Sequence, residues 1–468
     1  MKIVLNIPDI IVAKIKYVLL WIFIISMISY AYFFKWADSN VYLLLACIFA
    51  IYMAINLWAN DIANNMGPAV GSKAISLRWA IIIAVIFEAS WAIIAWWDVV
   101  NTIKWWIIKP DFFINHQIEF IAIMLATLLW SAIWVNIATF LKAPVSITHS
   151  ILWWLIWAWI TSAWFEVVNW PVVIKVVIAL IIAIFMWWII ATSIYISIKR
   201  TILKQKNKWE AAKHWVPIYV SLMVLIFSIY LILKWFKHKL WPVQSYIENM
   251  WLNFITTAVF ISVIISVIVY TILIINYWRK KKSFFEDSKD FVNELFNLPL
   301  IFAVALLSFA HWSNDVANAI WPLAAIYDTT IDTVWNVNKV GIPIWIMILW
   351  AFSLSFWLAV FWARLIKTVW KSITKLDQTR AYSIALSAAI TVIVASWLWI
   401  PVSTTQIALW WIFGIWLYRQ WLKHRKWKDK KVIEIWKLNW IILSWFVTFP
   451  IAWVIASIVY WIIIYYSK

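Results

Sequence analysis

Two polar segments of the same form interrupt the apolar sequence, and each places an aspartate between asparagines. The first covers residues 60–64 and the second covers residues 314–318. A carboxylate at bilayer depth is costly and marks a functional site by default, although a single copy could merely join helices by hydrogen bonds. Carboxylate and amide oxygens are the ligands that hard cations prefer. The predicted cation-coupling residues are Asn60, Asp61, Asn314 and Asp315, with Asp61 and Asp315 as candidate Na⁺ ligands.

Two Pro-Val-Ser segments supply a second kind of chemistry. They cover residues 144–149 and 401–406, and both contain threonine hydroxyls. Proline favours the first turn of a helix and serine favours its cap, so each segment is typical of a helix start, where free N–H groups attract an anion. Simple capping is the alternative. The predicted anion-binding residues are Ser146, Thr148, Ser403, Thr404 and Thr405, joined by Asn64 and Asn318.

The two sets of residues together predict coupled binding. Aspartates beside a divalent oxyanion would repel it strongly at low dielectric. Cations bound at the Asn-Asp segments would cancel that charge, so anion binding should require them. The residues therefore favour symport of an anion with a cation.

Three further polar residues could line the pathway. His149 could relay protons, but its counterpart in the second Pro-Val-Ser segment is Gln406, which cannot titrate, and this favours a hydrogen-bonding role. Glu88 lies in apolar sequence and could line the pathway or pair with a base. No nucleophile triad, nucleotide loop or metal-ligand cluster occurs in the sequence. We therefore predict that the chain is not an enzyme and has no cofactor besides the coupling ion.

The composition is that of an integral membrane protein, since 66% of the residues are hydrophobic and 13% are charged. The apolar runs predict an all-α polytopic fold with about 10–12 transmembrane helices. Two short runs preceded by proline, 151–168 and 405–418, predict half-helices or re-entrant hairpins. The net charge of +19 lies mostly in short basic loops, which favours contact with anionic lipid rather than with nucleic acid.

The paired segments reveal an internal repeat, which is typical of secondary transporters whose halves are inverted across the membrane around a central site. We therefore predict two inverted repeats, flanked by segments that brace them. The predicted divisions are an N-terminal transmembrane helix at 1–40, the first repeat at 41–170, central helices with basic cytoplasmic loops at 171–298, the second repeat at 299–418, and a basic loop with a C-terminal helix at 419–468.

Tryptophan is abundant and glycine is scarce, with 45 and 4 residues respectively. In the repeat alignment Gly67 falls on Trp321 and Gly414 falls on Trp157. The smallest and largest side chains rarely exchange at packed positions. Since UGA means tryptophan in some bacterial codes and glycine in others, we expect many of these tryptophans to be glycine in the cell. The alternative is a truly tryptophan-rich protein with interfacial aromatic belts.

The motifs resemble those of the inorganic phosphate transporter family. That family's doubled Gly-Ala-Asn-Asp-Val-Ala-Asn motif matches both Asn-Asp segments, with Trp58 and Trp312 in the glycine place. Its doubled Pro-Val-Ser-Thr-Thr-His motif resembles both Pro-Val-Ser segments, from which Ile147 and Gln406 depart. The resemblance implies that the Asn-Asp and Ser/Thr residues named above build cation and phosphate sites.

The resemblance also implies a function. It predicts a multi-pass symporter of the plasma membrane that imports inorganic phosphate with Na⁺ or H⁺ by alternating access, either alone or as a homodimer. A sulfate symporter of the same fold is one alternative, because a sulfate-transporting branch is similar to this family. A transport-inactive membrane scaffold or receptor is the other.

Overall fold

The computed structural model describes helices throughout, and no strand occurs in the ranges it covers. Those ranges are residues 9–34, 40–94, 116–140, 146–163, 165–233, 254–279, 289–331, 343–361, 376–397, 403, 450–451, 453–455 and 457–466. The helices are α1 Asp9–Phe34, α2 Val41–Gly71, α3 Leu77–Ile94, α4 Gln117–Phe140, α5 Ile147–Ala163, α6 Trp170–Ile198, α7 Lys208–Leu231, α8 Phe254–Arg279, α9 Lys289–Leu295, α10 Asn297–Ile331, α11 Ile344–Phe361, α12 Gln378–Trp397 and α13 Trp453–Tyr466.

The predicted all-α polytopic membrane fold is confirmed. Within the described ranges 5 helices are long and apolar enough to cross a membrane, or 6 if the bent pair α9–α10 forms one span. Shorter apolar helices accompany them, α5 and α13 among others. The predicted total of about 10–12 spans refers to the whole chain and stays a prediction.

Helices α2 and α10 run without interruption through the two Asn-Asp segments. Asn40 caps α2, because its Oδ1 accepts hydrogen bonds from the backbone N–H groups of Tyr42 (3.0 Å) and Leu43 (3.2 Å). Each helix also has a proline in its interior, Pro68 in α2 and Pro322 in α10, at equivalent places in the repeat. Proline has no N–H to donate, so both helices lose a backbone hydrogen bond at the same point beyond the motif.

The helices of the two predicted repeats have equivalent neighbours. Helix α2 packs on α3 and α4 as α10 packs on α11 and α12. Across the molecule α2 contacts α11 and α12, while α10 contacts α3 and α4. The two motif helices α2 and α10 also contact each other, and so do α3 and α11. If α2, α3 and α4 are exchanged with α10, α11 and α12 respectively, the pattern of contacts among these six helices is therefore unchanged.

Burial separates the core helices from the peripheral ones. In the most apolar part of α4, 67% of the residues are buried, against 17% in α8, whose main neighbour is α7. Bilayer hydrocarbon solvates apolar side chains, so α8 can expose them on most of its surface. The core that positions the motifs consists of α2, α4, α10 and α12.

The predicted half-helix at 151–168 differs from the observed element. Helix α5 begins earlier, at Ile147, and ends at Ala163, and a 3-10 turn follows at Phe165–Val167 before α6. The second predicted half-helix, 405–418, lies outside the described residues. A bend that was not predicted occurs between α9 and α10, whose axes differ by 43°.

Candidate functional site

The two Asn-Asp segments lie on a pair of helices in direct contact. Residues 60–64 belong to α2 and residues 314–318 belong to α10. In the first segment Asn64 is 6% exposed and the neighbouring Asn65 is 1% exposed. Burial of two consecutive amides in an apolar membrane helix indicates that they face protein rather than lipid. The side chains of Asn60, Asp61, Asn314, Asp315 and Asn318 lie outside the described set, so the structure places these residues by their backbone alone.

The first Pro-Val-Ser segment leads directly into α5. The N–H of Ser150 donates to the carbonyl of Ser146 (3.0 Å), which makes Ser146 the residue that precedes the first helical turn. Ser146 and Thr148 are 2% and 1% exposed. Two hydroxyl-bearing side chains are therefore buried at a helix start, where the backbone N–H groups provide positive potential for an anion.

Helix contacts bring the first Pro-Val-Ser segment toward both motif helices. Helix α5 packs against α4 and against α10, which carries the second Asn-Asp segment. Helix α4 in turn packs against α2. The structure therefore gathers on adjoining helices three of the four segments in which the sequence predicted chemistry.

The fourth segment is represented by Ser403, which is buried with 3% exposure. Thr404, Thr405 and Gln406 lie outside the described residues. The backbones of Glu88 and His149 lie in α3 and α5, but their side chains are outside the described set. The predicted roles of these residues stay predictions.

Polar residues that the sequence analysis missed lie next to the motifs. Asn136 of α4 donates from Nδ2 to Oδ1 of Asn56 on α2 (2.6 Å), and Asn56 donates from Nδ2 to the carbonyl of Tyr52 (2.8 Å). His311 of α10, one helical turn before Asp315, is 1% exposed. A search for amide and imidazole groups one turn before each Asn-Asp pair, that is, four residues before Asn60 and four residues before Asp315, would have found Asn56 and His311.

A charged cluster lies at the start of α12. Asp377 accepts hydrogen bonds from the backbone N–H (3.1 Å) and the guanidinium of Arg380, and its carboxylate also contacts Lys289 of α9. Burial alone would raise the pKa of Asp377, but the hydrogen bonds and charges of Arg380 and Lys289 outweigh it and hold that pKa well below its usual range. The carboxylate is therefore ionised and fixed in place, connecting α9 to α12.

Comparison with known proteins identifies the family. The model of the phosphate transporter family matches residues 58–456, a range that contains all four motif segments. The chain belongs to the phosphate transporter family. The family is one of transporters, so the prediction that the chain is not an enzyme is confirmed.

Individual relatives agree with this assignment. A protein of Helicobacter pylori strain J99, named "Putative phosphate permease", is 42% identical over 414 residues, which cover 88% of this chain and 75% of the relative. A relative of the same kind from Pyrococcus abyssi is 32% identical over 430 residues, covering 91% of this chain and 100% of the relative. A solved structure described as the sodium-dependent phosphate transporter has the same fold, with a TM-score of 0.76 and 24% identity over 90% of this chain and 98% of its own.

Proposed function

We propose that this chain imports inorganic phosphate across the plasma membrane, in symport with Na⁺ or H⁺. The observation that carries the proposal is the contact between α2 and α10, because each helix contains one Asn-Asp motif of the phosphate transporter family. Two carboxylates on adjoining helices suit a shared ionic site near the middle of the protein. Membership of the family supplies the class of substrate.

Within the proposed mechanism the Asn-Asp segments bind the coupling cations. Asp61 and Asp315 provide the negative charge and the flanking asparagines provide neutral oxygens. Phosphate binds at the start of α5, through Ser146, Thr148 and the backbone N–H groups, and at the equivalent segment that contains Ser403. Neutral donors and a helix N-terminus hold an anion without the tight grip of an arginine, which suits a substrate that must leave again.

Electrostatics couples the two kinds of ligand. Unneutralised aspartates would repel phosphate at low dielectric, so phosphate binds well only when cations occupy the Asn-Asp segments. Movement of one repeat against the other then exposes the loaded site to the opposite side of the membrane. The equivalent neighbours of the two repeats support this proposal. If the two repeats exchange conformations, the contact between them takes a second form similar to the first, and the two forms can open the site to opposite sides of the membrane.

Uptake of labelled phosphate into proteoliposomes tests the proposal. We expect uptake that is driven by an inward Na⁺ gradient or, if protons are the coupling ion, by an inward H⁺ gradient. Sodium is the first ion to test, given the description of the solved relative. Excess sulfate should compete weakly, and stronger inhibition by sulfate than by phosphate would favour the sulfate alternative.

The double variant Asp61→Asn, Asp315→Asn tests the role of the motifs. It should lose uptake and cation-dependent phosphate binding, because the cation sites lose their charge. Asp290→Asn is the matched control, since Asp290 is exposed on the short helix α9 and outside both motifs. Unchanged uptake and binding in the double variant would contradict the mechanism. Absence of uptake and of any phosphate-induced thermal shift in the wild type would favour a scaffold or receptor.

A further inference from the structure

Two asparagines form a short hydrogen bond between α2 and α4. Asn136 Nδ2 lies 2.6 Å from Asn56 Oδ1, and Asn56 is 3% exposed. The Nδ2 group of Asn56 is also engaged, since it donates to the carbonyl of Tyr52 at 2.8 Å. Asn56 therefore has its amide oriented by two contacts, one within its helix and one from the neighbouring helix.

The position of Asn56 connects this pair to the cation motif. Residues 56, 60 and 64 are four apart, so they lie in one row along α2. Asn136 lies close to the end of α4, and the next described helix, α5, begins within the first Pro-Val-Ser segment. The hydrogen bond therefore joins the helix with the cation motif to the helix that leads into the anion motif.

The second repeat has no equivalent pair. The counterpart of Asn56 is Ala310, which is 0% exposed, and the counterpart of Asn136 is Ile393, which is 8% exposed. Nevertheless α10 packs on α12 as α2 packs on α4. A hydrogen bond needed only to hold the two helices together would be required in both repeats, so the pair in the first repeat points to a different role.

We propose that Asn56 and Asn136 are positioning residues that set the affinity of the first repeat for its coupling cation. By fixing the rotation of α2 against the end of α4, they hold the backbone at residues 60–64 in the orientation that binds the cation. The inference rests on the proposed function and adds that the two repeats bind their cations with different affinities.

Replacement of Asn136 tests the inference. In Asn136→Leu the cation concentration for half-maximal uptake should rise about five- to tenfold, as expected for loss of one partly buried neutral hydrogen bond. The maximal rate, and the half-saturating phosphate concentration at saturating cation, should change little. Asn136→Gln, which keeps an amide, should recover part of the cation affinity. Ser197→Ala is the control, because it removes a 2.6 Å contact with Tyr219 between α6 and α7, two helices that carry none of the motif segments.

A double-mutant cycle separates this role from general destabilisation. If the hydrogen bond is the cause, Asn56→Leu with Asn136→Leu should change cation affinity no more than either single substitution. Additive effects, or a fall in maximal rate at unchanged cation affinity, would overturn the inference. Stabilisation of the purified protein by Na⁺ against heating measures cation affinity without transport. This thermal measurement tests the inference even if the wild type fails to transport phosphate, a result that would count against the proposed function alone.

An independent observation concerns tryptophans in the core. In the described part of the chain, several indole N–H groups are buried without a hydrogen-bond acceptor, although buried tryptophans usually find one. These belong to Trp130, Trp134, Trp154, Trp187, Trp188, Trp321, Trp345 and Trp350. A glycine at any of these positions would leave no such donor.

The repeat provides a direct comparison for Trp321. Gly67 is buried in α2 directly before Pro68, and Trp321 is 3% exposed in α10 directly before Pro322. We propose that the UGA codons of this gene are read as glycine, and that Trp321 is one of the residues concerned. Glycine at both places would give the contacting helices α2 and α10 the same close-packing surface.

The gene and the native protein test this second proposal. Codon 321 should be UGA, and the matching peptide of the native protein should have the mass of glycine at that position. Trp170 is the control, because its Nε1 donates to the carbonyl of Phe165 at 3.0 Å, so we expect UGG and a tryptophan there. A UGG codon at 321, or tryptophan in that native peptide, would refute the proposal.

Discussion

Arg380 holds Asp377 at two points, from Nε to Oδ1 at 2.9 Å and from Nη2 to Oδ2 at 2.9 Å. Lys289 adds a third contact, 3.0 Å from its Nζ to Oδ2, and comes from α9. The side chains of Asp377 and Arg380 are only 13% and 12% exposed, so water screens their pairing weakly. This cluster fastens the start of α12 to the short helix that precedes the bend into α10.

Asp377→Asn should destabilise the protein. The variant leaves the Arg380 and Lys289 charges without their carboxylate, and loss of one partner of a largely buried ion pair costs about 3–5 kcal/mol. We expect a lower Tm in detergent by fluorescence-monitored unfolding. Asp290→Asn removes an exposed carboxylate from the same region and should leave the Tm unchanged. Equal Tm values for the two variants would contradict the importance of the cluster.

The stabilisation by Asp377 should depend on pH in a defined direction. The pKa of Asp377 is lower in the folded protein than in the unfolded chain, whose value is about 3.9. The stabilisation is therefore complete above that unfolded value and is lost as the pH falls toward the folded pKa. The Tm difference between wild type and Asp377→Asn should be constant from pH 7 to 5 and shrink below about pH 4. A difference that grows on acidification would show that another group is responsible.

Lys73→Gly should stabilise the turn after α2. Lys73 has a φ of 66°, which places a residue with a Cβ atom in the left-handed region at the end of a helix. That conformation costs about 1–2 kcal/mol for most residues and little for glycine. We expect a higher Tm for Lys73→Gly, whereas Lys73→Ala keeps the Cβ atom and should gain nothing. A similar rise in both variants would indicate that the lysine charge, not the backbone, is unfavourable.

Ser146→Ala should weaken phosphate binding. Under the proposed mechanism the variant loses one hydroxyl donor at the start of α5, so the half-saturating phosphate concentration should rise about tenfold while the cation dependence stays the same. Ser150→Ala is a matched control, because Ser150 is equally buried and its hydroxyl already donates to the carbonyl of Ser146 at 2.8 Å. If both variants have wild-type phosphate kinetics, Ser146 is a helix cap and nothing more.

The sequence predicted the helical membrane fold because long apolar runs have few other stable structures in a bilayer. It did not predict that α2 continues through residues 60–64 to Gly71, since polar residues end the apolar run there. The hydrogen bond between Asn56 and Asn136 could not be predicted from local sequence patterns either, because it joins residues 80 positions apart in the chain. Local patterns indicate elements, whereas the orientation of one element against another depends on tertiary packing.

The equivalent contacts of the two sets of helices have a consequence for the evolutionary origin of the chain. Helix α2 meets its own counterpart α10, and α3 meets its own counterpart α11. Self-complementary contact of this kind is the mark of an isologous interface between two identical subunits. The present core is therefore the arrangement expected of a half-length ancestral protein that worked as a dimer before its duplicated genes were fused.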